Sequence, residues 1–328
     1  MTERRRGLLS LPAPDAAAQL GLGLLDDAGT AAARLDDPDD PESLHDFRVA
    51  MRRLRTLLRG FRAELADAVS KKPQRRLRDL ARRTSAGRDA EVQLAWVRDH
   101  RAELPRGSRG GLRWLVARLA ARRDRAYASV HEELAPEYRR IARRLRRALL
   151  EVGEGARLRA PPFAVAAARV LRSQATTLGQ QLGAVRSARD EDAIHGARIA
   201  VKRSRYMLEW LASDVPQAAL LVARLRELQD LLGELRDVQV LIVELGDAVV
   251  DAAAERARTL HALARLATET EGKLVRRLTI PWAGAGYRAL VRDIVALADT
   301  LTAPPPPLLA RARPRRAMRV RRTHQAPL

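Results

Sequence analysis

The strongest constraint on the fold of this chain is that much of it is written twice. Leu44-His45-Asp46-Phe47-Arg48-Val49-Ala50-Met51-Arg52-Arg53-Leu54-Arg55 returns as Ile194-His195-Gly196-Ala197-Arg198-Ile199-Ala200-Val201-Lys202-Arg203-Ser204-Arg205. The two histidines are 150 residues apart, and every basic residue of the first stretch meets a basic residue of the second. A second match follows. Leu77-Arg78-Asp79-Leu80 leads to Arg88-Asp89 and Val92, and Leu225-Arg226-Glu227-Leu228 leads to Arg236-Asp237 and Val240, with 11 residues from leucine to arginine in both. Such self-similarity predicts two copies of one unit, each burying its apolar face against the other.

The unit is helical. Between residues 15 and 300 Ala, Leu, Arg and Glu dominate, and apolar residues recur at three and four, with no run of alternating β-branched residues. A helix is expected ahead of each histidine, over residues 15–35 and 163–182. Breaks are expected at residues 37–41, 107–111, 153–162, 213–216 and 281–286, where Gly, Pro, Asp and Ser gather. Pro136 is expected to kink or split a helix, and Pro73 to sit near a helix start. The organisation expected is a basic segment at 1–8, repeats at 9–152 and 162–300, and a tail at 301–328. The fold class is all-α, with antiparallel neighbours joined by short loops.

Charge narrows the function. Lys+Arg is 61 against 40 Asp+Glu, a net +21, yet 46% of the residues are hydrophobic, so the chain has a core to build and is no disordered polycation. Only Lys71, Lys72, Lys202 and Lys273 are lysines; the other 57 cations are arginines, whose forked donors fit phosphate oxygens. Residues 301–328 hold seven arginines, all after Pro304–Pro307, and no acid, and read as a disordered basic tail. The remainder still carries 54 basic against 40 acidic residues, so the excess belongs to the folded part as well. Aromatics are 3%, which speaks against base-stacking surfaces. Absence of cysteine excludes disulfides, thiol catalysis and cysteine-ligated zinc. No apolar run is long enough for a membrane helix or signal core, so a cytoplasmic protein with an anionic partner is expected.

A helical wheel locates that partner. With His45 at zero, Arg48, Arg52, Arg55 and Arg59 fall at roughly 300°, 340°, 280° and 320°. Phe47, Met51, Leu54, Leu57, Leu58 and Phe61 lie between about 120° and 240°. A basic stripe roughly 21 Å long thus runs beside the apolar one. His195, Arg198, Lys202 and Arg205 take the same angles in the second copy, where Glu209 ends the stripe. Like charges stacked in this way destabilise a helix. One such stripe is what a solvated face looks like. Two in the same register against the core predict an anion that offsets the cost. The histidines fit either a cap or packing role or a bond to phosphate.

Catalysis finds no foothold. His45-Asp46 has the look of a metal-dependent phosphohydrolase dipeptide, but its counterpart is His195-Gly196 and no carboxylate cluster supports a metal. Gly21-Leu22-Gly23 lacks the lysine of a phosphate-cradling loop. No nucleophile is positioned. Asp89 and Asp237 are expected to form structural ion pairs with arginines of adjacent helices, and the 75–78 and 143–147 basic runs to widen the cationic surface.

The repeated pattern His-x-x-Arg-[Val/Ile]-Ala-x-[Arg/Lys]-Arg-x-Arg, followed by Arg-Asp-x-x-Val, resembles the CHAD family, α-helical domains named for their conserved histidines. The resemblance covers roughly residues 9–300. It implies two pseudo-symmetric four-helix bundles around a basic central cavity, binding of inorganic polyphosphate, and in some members location on polyphosphate granules. Carried over to this chain, the binding residues are His45, Arg48, Arg52, Arg53 and Arg55 with His195, Arg198, Lys202, Arg203 and Arg205, joined by Arg88 and Arg236; Arg59 extends the first stripe. Ser204 departs from the apolar residue matching Leu54, Asp46 is not repeated, and the arginine tail lies outside the pattern. Many members carry a CYTH triphosphatase domain with a Glu-x-Glu-x-Lys strand. That motif is absent here, so a standalone binding module with no cofactor and no catalysis is expected. Non-specific RNA or DNA binding, through the body or the tail, is the alternative.

Overall fold

The structure, a computed structural model, describes residues 7–303 except 38, 39, 41, 67, 153–159, 186–189 and 283. Most of the tail expected at 301–328, and most of the basic segment at 1–8, lie outside these residues; Leu301 and Thr302 still belong to the last helix. The described residues form ten α-helices and no strand: α1 (Ala13–Ala33), α2 (Ser43–Gly60), α3 (Lys71–Arg83), α4 (Ser85–Asp99), α5 (Arg109–Leu150), α6 (Phe163–Ala184), α7 (Glu191–Glu209), α8 (Pro216–Asp251), α9 (Ala254–Trp282) and α10 (Ala285–Thr302).

The local reasons are those the periodicity anticipates. α1 opens behind Pro12 with Pro14 in its first turn, where no backbone donor is lost. α2 carries Asp46 in its first turn and Arg59 in its last, each matched to the helix dipole. The whole expected apolar stripe of α2 is buried, from Phe47 through Met51, Leu54, Leu57 and Leu58 to Phe61 just beyond its end.

The helices pack in two similar series. α1 lies against α2 and α5, and α5 against α3 and α4; α6 lies against α7 and α10, and α8 against α7 and α9. Across the series α2 meets α7, α1 meets α6, α4 meets α8 and α5 meets α9. One hydrophobic core runs through both. At its centre Phe61, Phe163 and Trp210 stack, with Phe163 centroids 4.8 Å from each of the other two. Pro12 and Pro162 pair in an antiparallel bridge: Ala13 donates to the Pro161 carbonyl (3.0 Å) and Phe163 to that of Leu11 (2.8 Å). The partners of that bridge are 150 residues apart, the spacing of the two histidines.

The helices break where the repeat does not. Thr84 separates α3 from α4, whereas α8 continues through the corresponding Leu232. Pro136 stays inside α5, which runs unbroken over 42 residues rather than splitting. Its counterpart at the same offset is Gly284, whose φ of 56° ends α9 and starts α10. Pro281 is inside α9 and Ala285 already begins α10, so the break is narrower than the expected 281–286. Pro73 is in the first turn of α3 as expected. The ends of α2 at Gly60 and of α8 at Asp251 were not expected, because few Gly or Pro residues mark them; α6 ends at Ala184, close to the expected 182.

Candidate anion-binding site

α2 and α7, the two histidine helices, pack on each other near their C-terminal ends. A side chain on Gly60 would meet Met207 Cε at 3.2 Å, so the missing Cβ is what lets the two helices approach. Their basic stripes then face a shared space. A cleft of about 960 Å³ is lined by Arg52, Arg55 and Arg59 from α2, Lys202 and Arg203 from α7, and Lys71, Arg75 and Arg78 from α3. Arg62, Val69 and Ser70, from the non-helical stretch after α2, complete it.

Two smaller hollows share walls with this cleft. One, about 330 Å³, adds Arg48, Arg82 and Arg198. The other, about 360 Å³, adds Arg169 and Gln174 of α6. Together the three are lined by eleven arginines and two lysines, and by no carboxylate. Such crowding of like charges on facing walls raises the positive potential in the space between them.

The electrostatic consequences are visible residue by residue. Burial, reinforced by Arg198, Arg52 and Arg48 and opposed by Asp237, pushes the Lys202 ammonium down to about 7. Burial and Arg52 bring Arg48 down to about 10. Arg55, Arg198 and Arg203 are all lowered, by burial first and by neighbouring arginines in addition. Arg52 Nε and Arg198 Nε are shielded from solvent and donate to no acceptor. An unmatched buried donor is costly, and these two are aimed from opposite helices.

The break at Thr84 also serves the site. Arg48 donates to the Thr84 carbonyl, and to Thr84 Oγ1 at 2.9 Å. This anchors α3 against the first histidine helix and turns its basic face toward the cleft.

Of the thirteen residues singled out in the sequence, Arg48, Arg52, Arg55, Arg59, Arg198, Lys202 and Arg203 line these hollows. Six do not. Arg53 donates to Glu209 (2.9 Å) and Arg205 to Glu209 (2.5 Å) and Gln229 (2.9 Å). Arg88 pairs with Glu91 and Arg236 with Glu191. His45 and His195 stand at the helix starts; burial first, and then Arg88 for His45 and Arg198 for His195, lowers both. Asp89 and Asp237 form no ion pair among the described residues, contrary to expectation; they influence Arg48 and Arg198 from beyond contact distance. Asp46 pairs instead with Arg34 at 2.7 Å. At its counterpart Gly196 a Cβ would meet the end of the Gln181 side chain.

Reasoning from the sequence missed Lys71, Arg82, Arg62 and Arg169. For α3 a signal existed: Lys71, Arg75, Arg78 and Arg82 are spaced on one helical face. Arg62 and Arg169 carried none. Among the described residues no group of three or more acidic or histidine side chains could hold a metal, and no helix is long and apolar enough to cross a membrane.

A family model described as CHAD domain matches residues 23–242 and 213–327. The second match runs past residue 300, where the repeat was expected to end. The fold is similar to the crystal structure of the CHAD domain from the plant Ricinus communis, at 24% identity over 88% of this chain and 93% of that one, with a TM-score of 0.62. It is also similar to PptA from Streptomyces chartreusis, at 20% identity over 81% of this chain and 98% of that one, with a TM-score of 0.59. At these identities the likeness shows the fold alone. No curated protein matches the chain.

Proposed function

The chain belongs to the CHAD domain family, and from that premise we propose that it binds inorganic polyphosphate in the cleft between its histidine helices, as a binding module without catalysis. One observation carries the reading: eleven arginines and two lysines line three adjoining hollows with no carboxylate in their lining, and among the described residues only Arg78, Arg82 and Arg169 of them pair with an acid, Asp79 or Glu64. Holding so many cations together costs stability unless an anion of matching charge density neutralises them. A bare phosphate chain offers a negative group at every repeat and no bulky substituent. The guanidinium forks of Arg52, Arg55 and Arg198 suit its non-bridging oxygens. Tyr206, the one aromatic lining the cleft, is 7% exposed and lies under Arg53 and Arg205, so stacking of nucleobases gains little there.

In this reading the ten helices are two pseudo-symmetric four-helix units. α3 with α4 is one broken helix of the first unit, α9 with α10 one broken helix of the second. The spacing of Pro12 and Pro162 supports it. Association with polyphosphate granules follows from the same affinity.

Competition tests the proposal. Labelled polyphosphate bound to the full chain is displaced by unlabelled polyphosphate, single-stranded RNA or single-stranded DNA, compared at equal phosphate concentration. Polyphosphate is expected to displace best, and an Arg52→Ala, Arg55→Ala variant to lose most of the binding while keeping its helical signal. Equal displacement by nucleic acid, undiminished in that variant, would overturn the reading in favour of a general nucleic-acid binder. Release of phosphate in the presence of magnesium or manganese would overturn the non-catalytic part.

A further inference from the structure

The repeat predicts two equivalent faces, yet the cations gather on one of them. Lys71, Arg75, Arg78 and Arg82 of α3 share a helical face, are all exposed, and line the cleft or its neighbour. Carried forward by the 148 residues that relate Leu77 to Leu225, these four positions become Ala219, Ala223, Arg226 and Asp230. One cation and one acid stand where four cations stood.

The histidine helices differ in the same sense. Carried forward by 150 residues, Arg59 becomes Glu209. Glu209 takes Arg205, the counterpart of Arg55, and Arg53, the counterpart of Arg203. Arg55, Arg59 and Arg203 themselves form no ion pair among the described residues. Hence each equivalent pair has one member open to the cleft and one member tied to Glu209. Among the described residues the stripe's ion pairs are with Asp79 alone, 3.6 Å from Arg78 and 3.7 Å from Arg82, exposed pairs of little strength.

We propose that the polyphosphate site is single and one-sided: the chain lies along α3 between the two histidine helices, held by Lys71, Arg75, Arg78 and Arg82 as well as by the helix stripes, while Glu209 closes the equivalent face of the second repeat to anions. This rests on the polyphosphate reading above and adds to it a stoichiometry and a set of residues off the histidine helices. The two repeats have divided their work. One face keeps its cations unmatched save for the weak exposed pairs with Asp79, and the other spends them on an internal carboxylate that joins α2 to α7.

Calorimetric titration of the full chain with a polyphosphate of defined length tests this. One site per chain is expected. An Arg75→Ala, Arg78→Ala, Arg82→Ala variant should bind about tenfold or more weakly at fixed salt, because several phosphate contacts go at once. These side chains are exposed, so its melting temperature should stay close to that of the parent. Arg226→Ala, on the opposite face, should bind within about twofold of the parent. Two equal sites, an unaltered triple variant, or an Arg226→Ala loss as large as the triple's would overturn the proposal. If Arg52→Ala, Arg55→Ala abolishes binding while the triple variant binds normally, one-sidedness fails and the polyphosphate reading survives. If the parent does not bind polyphosphate, both fail.

Discussion

Glu209 Oε2 accepts from Arg53 Nε at 2.9 Å, joining the end of one histidine helix to the middle of the other. Its second oxygen holds Arg205, a guanidinium 8% exposed. Glu209→Gln leaves that buried charge with Gln229 and the face of Tyr206 for company. The expected loss is about 3 kcal/mol of unfolding free energy, read by urea denaturation. Arg53→Ala should cost about 1 kcal/mol or less, because Arg53 is partly exposed. Equal losses would mean that the two contacts are not distinct in burial.

Lys202 makes binding pH-dependent. Its folded value of about 7 lies below the ordinary lysine value of 10.5, so near neutrality the free cleft holds it partly deprotonated. A bound polyanion stabilises the ammonium form and draws a proton in. Affinity should therefore fall as pH rises through 7, and Lys202→Arg should flatten the profile, since arginine stays charged. The affinity of both proteins measured from pH 6 to about pH 9 checks this; parallel profiles would remove Lys202 from the site.

The same shift has a stability counterpart with a definite sign. Between about 7 and 10.5 the unfolded chain holds a proton on Lys202 that the folded chain has lost. Stability without ligand should thus rise with pH across that window through this residue, and the burial penalty is felt in full below it. Lys202→Met should be the more stable protein at pH 6, with the difference from the parent shrinking toward alkaline pH. A constant difference across pH would contradict it.

Ser204 Oγ is buried without a hydrogen-bond partner, at the position where the first repeat has Leu54. Ser204→Ala removes the stranded hydroxyl and improves helix propensity. A gain of about 1 kcal/mol is expected, read as a raised melting temperature.

Gly60 marks the closest approach of the two histidine helices, with Val170 Cγ1 3.3 Å and Met207 Cε 3.2 Å from where its Cβ would be. Gly60→Val should destabilise by about 2 kcal/mol through overpacking. It should also weaken polyphosphate binding, because α2 and α7 are the two walls of the cleft. Loss of stability with affinity intact would separate the crossing from the site.

Much of this molecule is legible in its residues. The repeat, the all-helical class and the apolar stripe from Phe47 to Phe61 follow from local periodicity, because a helix that buries one face must repeat its apolar residues at that face. The inward basic stripe was legible for the same reason: Arg48, Arg52 and Arg55 share an angle whatever packs beside them. The break at Thr84 was not, since no Gly or Pro announces it; Arg48, distant in sequence, holds Thr84 from the neighbouring helix.

Periodicity places a side chain on a face, but it does not say what stands opposite. Arg55 and Arg205 have the same address in their repeats and opposite fates, one open to the cleft and one bound to Glu209. That difference is settled by pairings between helices far apart in the chain, whose energies depend on distance and shielding that only the packed structure defines. The chain's own pattern thus establishes that two cationic helices exist; the packing of α2, α3 and α7 decides which cations remain for a ligand.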